Sequence, residues 1–430
     1  MLRVKETLEI SIPQDGLDVN RLEEALAEAF KEFQERVMSR ALEEMEKGVL
    51  EEEQGRVVKK GKAERYLCTR FGWIRYERQK VRYLEEGGKR YGFPLDEALG
   101  LRPHQQETDW VRRRGVELAC DHPYRQAAEL LAQGIGEVLS HRTLHRWVQE
   151  EGRRLRREEE VERQRVFEEG DTLEGHPEER EIVVVEVDGT MLSSQERQRI
   201  ERGDRFEVKL GLLYTGKELE SEGAKWKRYR LKEKVLYGGV EEGEAFGEKL
   251  YLRGEERLNL GGAKHLLFIG DGAKWINEIA GADYWKSVYQ LDWWHYQRKL
   301  REALRGEEKL IGELLRLLRE GKGEEHRRLL RLRRMMVREE AEKLDELLDY
   351  LEENWEGLYG SWSLRGKVKA QEVLVVGSGA MEKNIELIIG RRLKKGGMSW
   401  SREGANNLLK LRVKKQLPED WEGWWQRRAA

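Results

Sequence analysis

Cysteine is nearly absent from this chain. Two residues among 430, Cys68 and Cys120, can build neither a disulfide framework nor a multi-cysteine zinc site. Long apolar runs are missing as well: none approaches the roughly 18 residues that a membrane span requires. The opening Met1-Leu-Arg-Val-Lys-Glu-Thr-Leu-Glu-Ile is too charged for the apolar core of a secretory signal, so a soluble, cytoplasmic protein without membrane contact is expected. No charge of one sign dominates. Lys and Arg number 81 and Asp and Glu 83, a formal net charge of −2, which excludes a uniformly basic coat for nucleic acid and confines any polyanion site to a local concentration of charge. What is abundant is charge itself, 38% of residues against about a quarter in an ordinary soluble chain. Length implies several domains, at about 100–200 residues each.

Periodicity divides the chain. Residues 17–53 carry Leu22, Leu26, Phe30, Phe33, Val37, Leu42 and Met45 at three- and four-residue steps, an amphipathic helix. From Arg65 to Tyr83, bulky β-formers alternate with Arg and Lys across Gly72, a hairpin pattern. Pro103 opens a helical stretch that continues to about 167, and the polar, Gly- and Pro-bearing segment 168–180 reads as a linker. Beyond it the pattern becomes α/β. Ile182–Asp188, Phe206–Tyr214, Lys232–Val240, His265–Asp271 and Ser287–Asp292 read as strands, and 293–358 is helical throughout. The apolar run Glu372-Val-Leu-Val-Val leads into a helix over Ala380–Lys395. The expected organisation is an N-terminal helix and hairpin domain (1–103), a helical region (104–167), a core in two pieces (181–292 and 366–430) and an all-helical insertion between them (293–365).

Two of these strands finish in an acid followed by glycine, Asp188-Gly189 and Asp271-Gly272. A carboxylate at the end of an apolar strand lies where open α/β sheets build their sites, and carboxylate oxygens are the hard ligands that Mg²⁺ or Mn²⁺ prefers. Asp-Gly is also ordinary turn punctuation. Leu291-Asp-Trp-Trp-His295 adds an Asp and a His three apart, which share a face in the first turn of a helix. Asp292 could there orient the His295 imidazole beside a reacting phosphate, or simply cap the helix.

Four blocks in order resemble a known family. Val187-Asp-Gly-Thr-Met-Leu-Ser-Ser-Gln195 with Glu207–Gly216, then Ile269-Gly-Asp-Gly-Ala-Lys-Trp-Ile276 with Leu291–His295, then Gly377-Ser-Gly-Ala-Met-Glu382 with Arg391–Ala405 are similar to the catalytic blocks of bacterial insertion-sequence transposases. The fourth, Phe71–Arg78 with Pro94–Leu101, is N-terminal. Together they resemble the ISLre-type family within the Mutator/hAT-like DDE transposases. The resemblance implies a ribonuclease-H-like core interrupted by a helical insertion, so that the whole is a multidomain α+β and α/β chain. It also implies Asp188, Asp271 and Glu382 as the catalytic set and as ligands of two Mg²⁺ or Mn²⁺ ions, with Asp292 and His295 as auxiliaries. Its expected partners are double-stranded DNA, as element ends and target, and further copies of the chain assembled on that DNA in the bacterial nucleoid.

A DNA-reading half is also visible in the residues. Tyr124–Gly134 is a short helix, and Ser140 is a good N-cap for His141–Glu150. Helix, turn and capped second helix is helix-turn-helix grammar. Leu144, Trp147 and Val148 would pack inward, which leaves Arg142, Thr143, His145 and Arg146 to face bases or phosphates. Arg153, Arg154, Arg156 and Arg157 would continue the positive charge along the backbone. Arg391, Arg392, Lys394 and Lys395, with Lys410–Lys415, form further basic stretches around the Glu382 helix. A plain helical hairpin would need the same apolar pattern. Two other functions fit much of this sequence: a metal-dependent nuclease of the same fold, and a non-catalytic DNA-binding regulator derived from a transposase.

Overall fold

The computed structural model describes residues 3–10, 18–84, 89–173, 175–195, 204–222, 227–284, 286–337, 342–369, 374 and 377–429. The chain separates into two compact units, residues 1–148 with 419–430, and residues 149–418.

The first unit begins with α1 (Val19–Glu52), capped by Asp18, whose carboxylate accepts from the Arg21 amide at 2.9 Å. Strands β1 (Val57–Thr69) and β2 (Gly72–Tyr83) pair antiparallel around Arg70-Phe71, with β3 (Tyr91–Gly92) at the far edge. Gly72 has φ +97, a conformation that L side chains avoid. Leu42 of α1, Leu67, Ile74 and Tyr76 of the hairpin and Leu95 of α2 (Pro94–Ala98) form one buried cluster. The helix expected from Pro103 starts later: α3 (Asp109–Asp121) follows the Thr108 cap. The reason lies in the backbone hydrogen bonds, since the Cys68 amide donates to Gln106 at 2.7 Å and Thr108 donates to Cys68 at 2.9 Å, which commits this stretch to β1. Helix α4 (Tyr124–Ile135) ends at Gly136 in the left-handed conformation, and α5 (His141–Arg163) begins after Ser140, whose hydroxyl accepts from the Thr143 amide at 3.2 Å. Leu144, Trp147 and Val148 are buried. A Cβ on Gly115 of α3 would meet the Trp147 ring at 2.8 Å, so that glycine permits the helix contact. The terminal helix α14 (Pro418–Ala429) contributes the packed rings of Trp421, Trp424 and Trp425.

The second unit is built on a mixed sheet, to which the short β11 (Ser399–Trp400) also belongs. The first strand in sequence, β4 (Ile182–Ser194), is central. The next, β5 (Arg205–Tyr214), and then β8 (Val235–Gly239), pair antiparallel on one side. On the other side β9 (His265–Gly270) and β10 (Val288–Leu291) are added parallel. Parallel strands need covered crossovers, and here α6 (Gly243–Leu258) and α7 (Lys274–Ala282) supply them. Their Phe246, Leu250, Ile276 and Ile279 pack on Val183, Val185, Val187 and Phe268. Lys232–Val240 was expected as one strand. It divides instead into β7 (Lys227–Lys232), paired with β6 (Gly216–Glu222) in a separate hairpin, and β8, with Glu233 between them at φ +47.

The insertion consists of α8 (Trp293–Ala303), α9 (Glu308–Arg319), α10 (Gly323–Met336), α11 (Glu342–Asn354) and a 3₁₀ segment over Glu356–Leu364. It has its own core, from Tyr296, Leu300 and Leu314 to Leu347 and Leu351. The Trp293 indole donates to the Leu358 carbonyl at 2.8 Å. The run expected at 372–376 lies outside the described residues except for Leu374. The helix expected over Ala380–Lys395 is α12 (Gly379–Ile385) continued by a π-helical stretch, Glu386–Lys394, and α13 (Arg402–Lys415) packs against β8. No described helix is long and apolar enough to cross a membrane.

His326, fully buried in the insertion, stands 2.6 Å from the Tyr296 hydroxyl, and burial pushes its pKa down to about 4. An imidazole whose folded pKa lies below its unfolded value of about 6.5 keeps its contribution above that pH and loses it as pH falls towards 4, by up to about 3 kcal/mol. Thermal melts of the wild type and His326→Gln should therefore differ most at pH 7 and converge by pH 4.5. A gap independent of pH would contradict this.

Candidate functional site

Strand register delivers the acids to one edge. On β4 and β9, Glu186 pairs with Ile269, so two further residues along each strand lead to Asp188 and Asp271. On β10 and β9, Leu291 pairs with Gly270, which sets Asp292 beside Asp271, and the Asp292 amide donates to the Gly270 carbonyl at 2.8 Å. Three parallel strands thus present an aspartate at one level of the C-terminal edge, the position where open sheets hold ligands.

The two Asp-Gly pairs differ locally. Gly272 has φ +84 and a Cβ there would meet Asn354 and Tyr350 at 2.9 Å, so β9 turns at this point under cover of α11. Asp188, expected to end its strand, does not: β4 continues to Ser194, because pairing with β5 persists to Ser193 after pairing with β9 has stopped. Asp188 therefore lies inside a long strand at the point where its neighbour is lost and the face opens.

Asp188, Asp271 and His295 each offer one ligand atom, and these atoms lie within 4.8 Å of one another. His295 comes from the first turn of α8. Its Nδ1 is 2.8 Å from Asp292 Oδ2, while Asp292 Oδ1 accepts from the Trp294 amide at 2.9 Å. Asp292 is thus both helix cap and imidazole partner. Its carboxylate also accepts from the Ser378 amide at 3.2 Å and from the Ser378 hydroxyl. Asp271 Oδ1 accepts from the Ala273 amide at 2.9 Å, and the Tyr350 hydroxyl donates to the Asp271 carbonyl at 2.6 Å.

Burial, opposed by His295 and reinforced by the Asp271 charge, pushes the Asp188 carboxyl up to about 6. Burial would likewise raise Asp292, but the hydrogen bonds from His295, Ser378 and the Trp294 amide outweigh it and leave the carboxyl below its usual range. At His295 burial favours the neutral ring, and the hydrogen bond and charge of Asp292 with the charges of Asp188 and Asp271 outweigh it, raising the pKa. Two carboxylates and one imidazole in this arrangement could hold a cation. The oxygens suit Mg²⁺ or Mn²⁺ and the nitrogen favours Mn²⁺ over Mg²⁺.

Glu382 lies outside this group, half-buried on α12. The close group holds His295, expected as an auxiliary, beside the two aspartates. The Glu382 helix nevertheless starts at the site, since Ser378 is bound by Asp292 and the Met381 amide donates to Glu186 Oε2 at 2.9 Å.

The basic residues divide. Arg142, His145 and Arg146 are exposed and Thr143 is half-buried. The His145 ring is edge-on to Tyr124 at 5.1 Å. Of the residues expected to track a phosphate backbone, Arg153 pairs with Glu403 at 2.9 Å, Arg154 with Glu158 at 2.9 Å, and Arg156 donates to Asn407 at 3.2 Å; Arg157 is exposed. Arg391, Lys394 and Lys395 are exposed, the last 3.1 Å from Glu386. Arg392 is not an outward cation: it is 2% exposed, with its guanidinium over the Trp400 ring. Lys410 and Arg412 are buried too. Lys410 pairs with Glu159 and Glu241, and Arg412 donates to the carbonyls of Leu387 and Ile388. Periodicity could not reveal this, because α13 is buried along most of its surface. The Lys394 ammonium donates to Thr190, two residues beyond Asp188 on β4, and the Asp188 charge acts on it.

The sequence matches the uncharacterised protein family UPF0236 over residues 12–428. The chain belongs to that family. Among its relatives is a UPF0236 protein of Caldanaerobacter subterraneus subsp. tengcongensis that is 26% identical over 408 residues, covering 93% of this chain and 78% of the relative; its name joins eleven locus designations. A second UPF0236 protein of that organism is 25% identical over 93% of this chain and 79% of its own length. A UPF0236 protein in the vanSb 3′ region of Streptococcus gallolyticus is 24% identical over 81% of this chain and 71% of its own length. Among solved structures, the Drosophila P element transposase strand transfer complex aligns with 77% of this chain and 83% of that one, at 11% identity and a TM-score of 0.25.

Mn²⁺ should raise the melting temperature of the full chain, by the equivalent of about 2.7 kcal/mol at a hundredfold excess over Kd. Asp188→Asn or Asp271→Asn should remove that shift and His295→Ala should reduce it, as followed by calorimetry. An equal shift in wild type and Asp271→Asn would locate the ion elsewhere.

Proposed function

We propose that this UPF0236 protein is a divalent-metal-dependent DNA transposase of the ISLre type, which cleaves element ends and joins their 3′-hydroxyl to target DNA. The observation that carries the reading is the convergence of Asp188, Asp271 and His295 at the C-terminal edge of three parallel strands. The strand order supports a ribonuclease-H-like core: the first strand is central, two antiparallel strands follow on one side, and two parallel strands complete the other. A relative whose name carries eleven locus designations in one strain adds support, since multiplication within a genome is what a mobile element does.

In this reading Asp188 and Asp271 hold the cation, with His295 as a third ligand or a phosphate contact fixed by Asp292. A bound Mg²⁺ or Mn²⁺ would polarise a phosphate oxygen and lower the pKa of the attacking hydroxyl or water. Glu382, one turn beyond Ser378, joins the carboxylates when cation and DNA neutralise their mutual repulsion. Lys394, already beside Thr190, neutralises the phosphate that approaches Asp188. In strand transfer the 3′-oxygen of the element forms a bond to a target phosphorus, and the bond from that phosphorus to the target's own 3′-oxygen breaks. Helices α4 and α5 read the element end as a helix-turn-helix, with Arg142 and Arg146 outward.

Incubating the protein with labelled element-end duplex, plasmid and Mg²⁺ should yield joined products. Hydrolysis without joining would mean a nuclease of the same fold, and binding without either would mean a regulator. Asp188→Asn and Asp271→Asn should abolish both reactions and leave end binding intact. Cleavage that survives Asp271→Asn would sink the assignment.

Arg142→Ala and Arg146→Ala should each weaken binding to the element end by about 1–3 kcal/mol where the arginine meets a guanine, with a smaller loss on random duplex. Arg157→Ala should lower affinity for both duplexes and flatten the salt dependence. Equal losses on both duplexes for Arg142 and Arg146 would refute the recognition-helix reading.

A further inference from the structure

Glu186 is an acidic residue within the fully buried first half of β4. It is 1% exposed and stands two residues before Asp188 on the same face of β4. Its carboxylate has two partners. Oε1 accepts from the Tyr214 hydroxyl of β5 at 2.7 Å, and Oε2 accepts from the Met381 amide at 2.9 Å. A carboxylate buried this deeply costs free energy unless hydrogen bonds such as these offset it.

Met381 is the third residue of α12, and its amide is one of the donors that a helix leaves unsatisfied at its start. Ser378, which precedes α12, makes no capping bond from its own side chain; its amide and hydroxyl are turned to Asp292. The helix that carries Glu382 is therefore capped by the sheet, through Glu186 on β4 and Asp292 at the end of β10. We infer that Glu186 is a positioning residue: it fixes the first turn of α12 against β4 and so sets where Glu382 stands relative to Asp188. Tyr214, itself fully buried, orients the carboxylate so that Oε2 meets the helix. This inference rests on the proposed role of Glu382, but the docking it describes is a property of the fold and can be measured without DNA.

The test uses the full chain with Glu186→Leu, which keeps the bulk and removes both acceptors, and Glu186→Gln, which keeps an oxygen for the Met381 amide. Hydrogen exchange read by peptide should rise in 377–386 for Glu186→Leu while peptides covering β9 and the insertion stay protected. Element-end cleavage at saturating DNA and Mg²⁺ should fall by at least about tenfold, the scale expected when a buried donor loses its partner. The Mn²⁺-dependent rise in melting temperature should persist, because Asp188, Asp271 and His295 remain. Glu186→Gln should restore both exchange and cleavage to within about threefold of wild type. Unchanged exchange in 377–386 overturns the inference, as does a rise spread evenly over the second unit, which would make Glu186 a general support of the sheet. If the wild type fails to cleave, the transposase reading falls, and the exchange measurement alone still decides whether Glu186 docks α12.

Discussion

Everything at the candidate site depends on holding like charges together. Asp188 and Asp271 approach one another because parallel pairing of β4 with β9 leaves them no other place, and the sheet, not the site, supplies the energy for it. Asp188 shows the cost in a pKa raised by burial and by its neighbour. His295 offsets part of the repulsion. It does so only because Asp292 holds its Nδ1, and Asp292 is itself fixed by α8, by Ser378 and by the Gly270 carbonyl. A cation between such carboxylates would offset the repulsion that destabilises the group alone.

The helical insertion is part of that arrangement. Its first helix supplies His295. Its last, α11, covers the turn after β9, with Tyr350 bonded to the Asp271 carbonyl and Asn354 bonded to Asn277 of α7 at 3.0 Å. Gly272 is required because Tyr350 and Asn354 come so close. A long insertion between the second aspartate and Glu382 therefore clamps one acid from behind while delivering a histidine to its front.

Much of this was legible in the residues. Apolar runs ending in acids identified β4, β9 and β10 together with Asp188, Asp271 and Asp292, since burial on both faces leaves a strand with no other vocabulary. The Ser140 cap and the inward Leu144, Trp147 and Val148 were equally plain, being set by helical period alone. What failed had a common cause. Arg392, Lys410 and Arg412 look like surface cations and are buried, because their partners (the Trp400 ring, Glu159 and Glu241, and the carbonyls of Leu387 and Ile388) are distant in sequence or hidden in the backbone. That His295 stands within 4.8 Å of Asp188 and Asp271 is a matter of where α8 docks, which spacing alone does not encode. Glu186 did leave a signal, a lone charge in Val-Val-Val-Glu-Val, and a charge in a doubly buried strand demands a partner somewhere.

Charge is distributed so that a chain of net charge −2 still carries local positive charge. Many of its cations are paired internally: Arg153 with Glu403, Arg163 with Glu248, Lys249 with Glu160, Lys410 with Glu241. Neutralised pairs of this kind contribute little to the field a few ångströms away, so the net charge says little about the surface at any one place. Arg142 and Arg146 on α5, and Arg391 and Lys394 in the π-helical stretch after α12, are exposed. Positive charge also stands at the margin of the acidic edge: in the second unit the Lys394 ammonium donates to Thr190, two residues from Asp188.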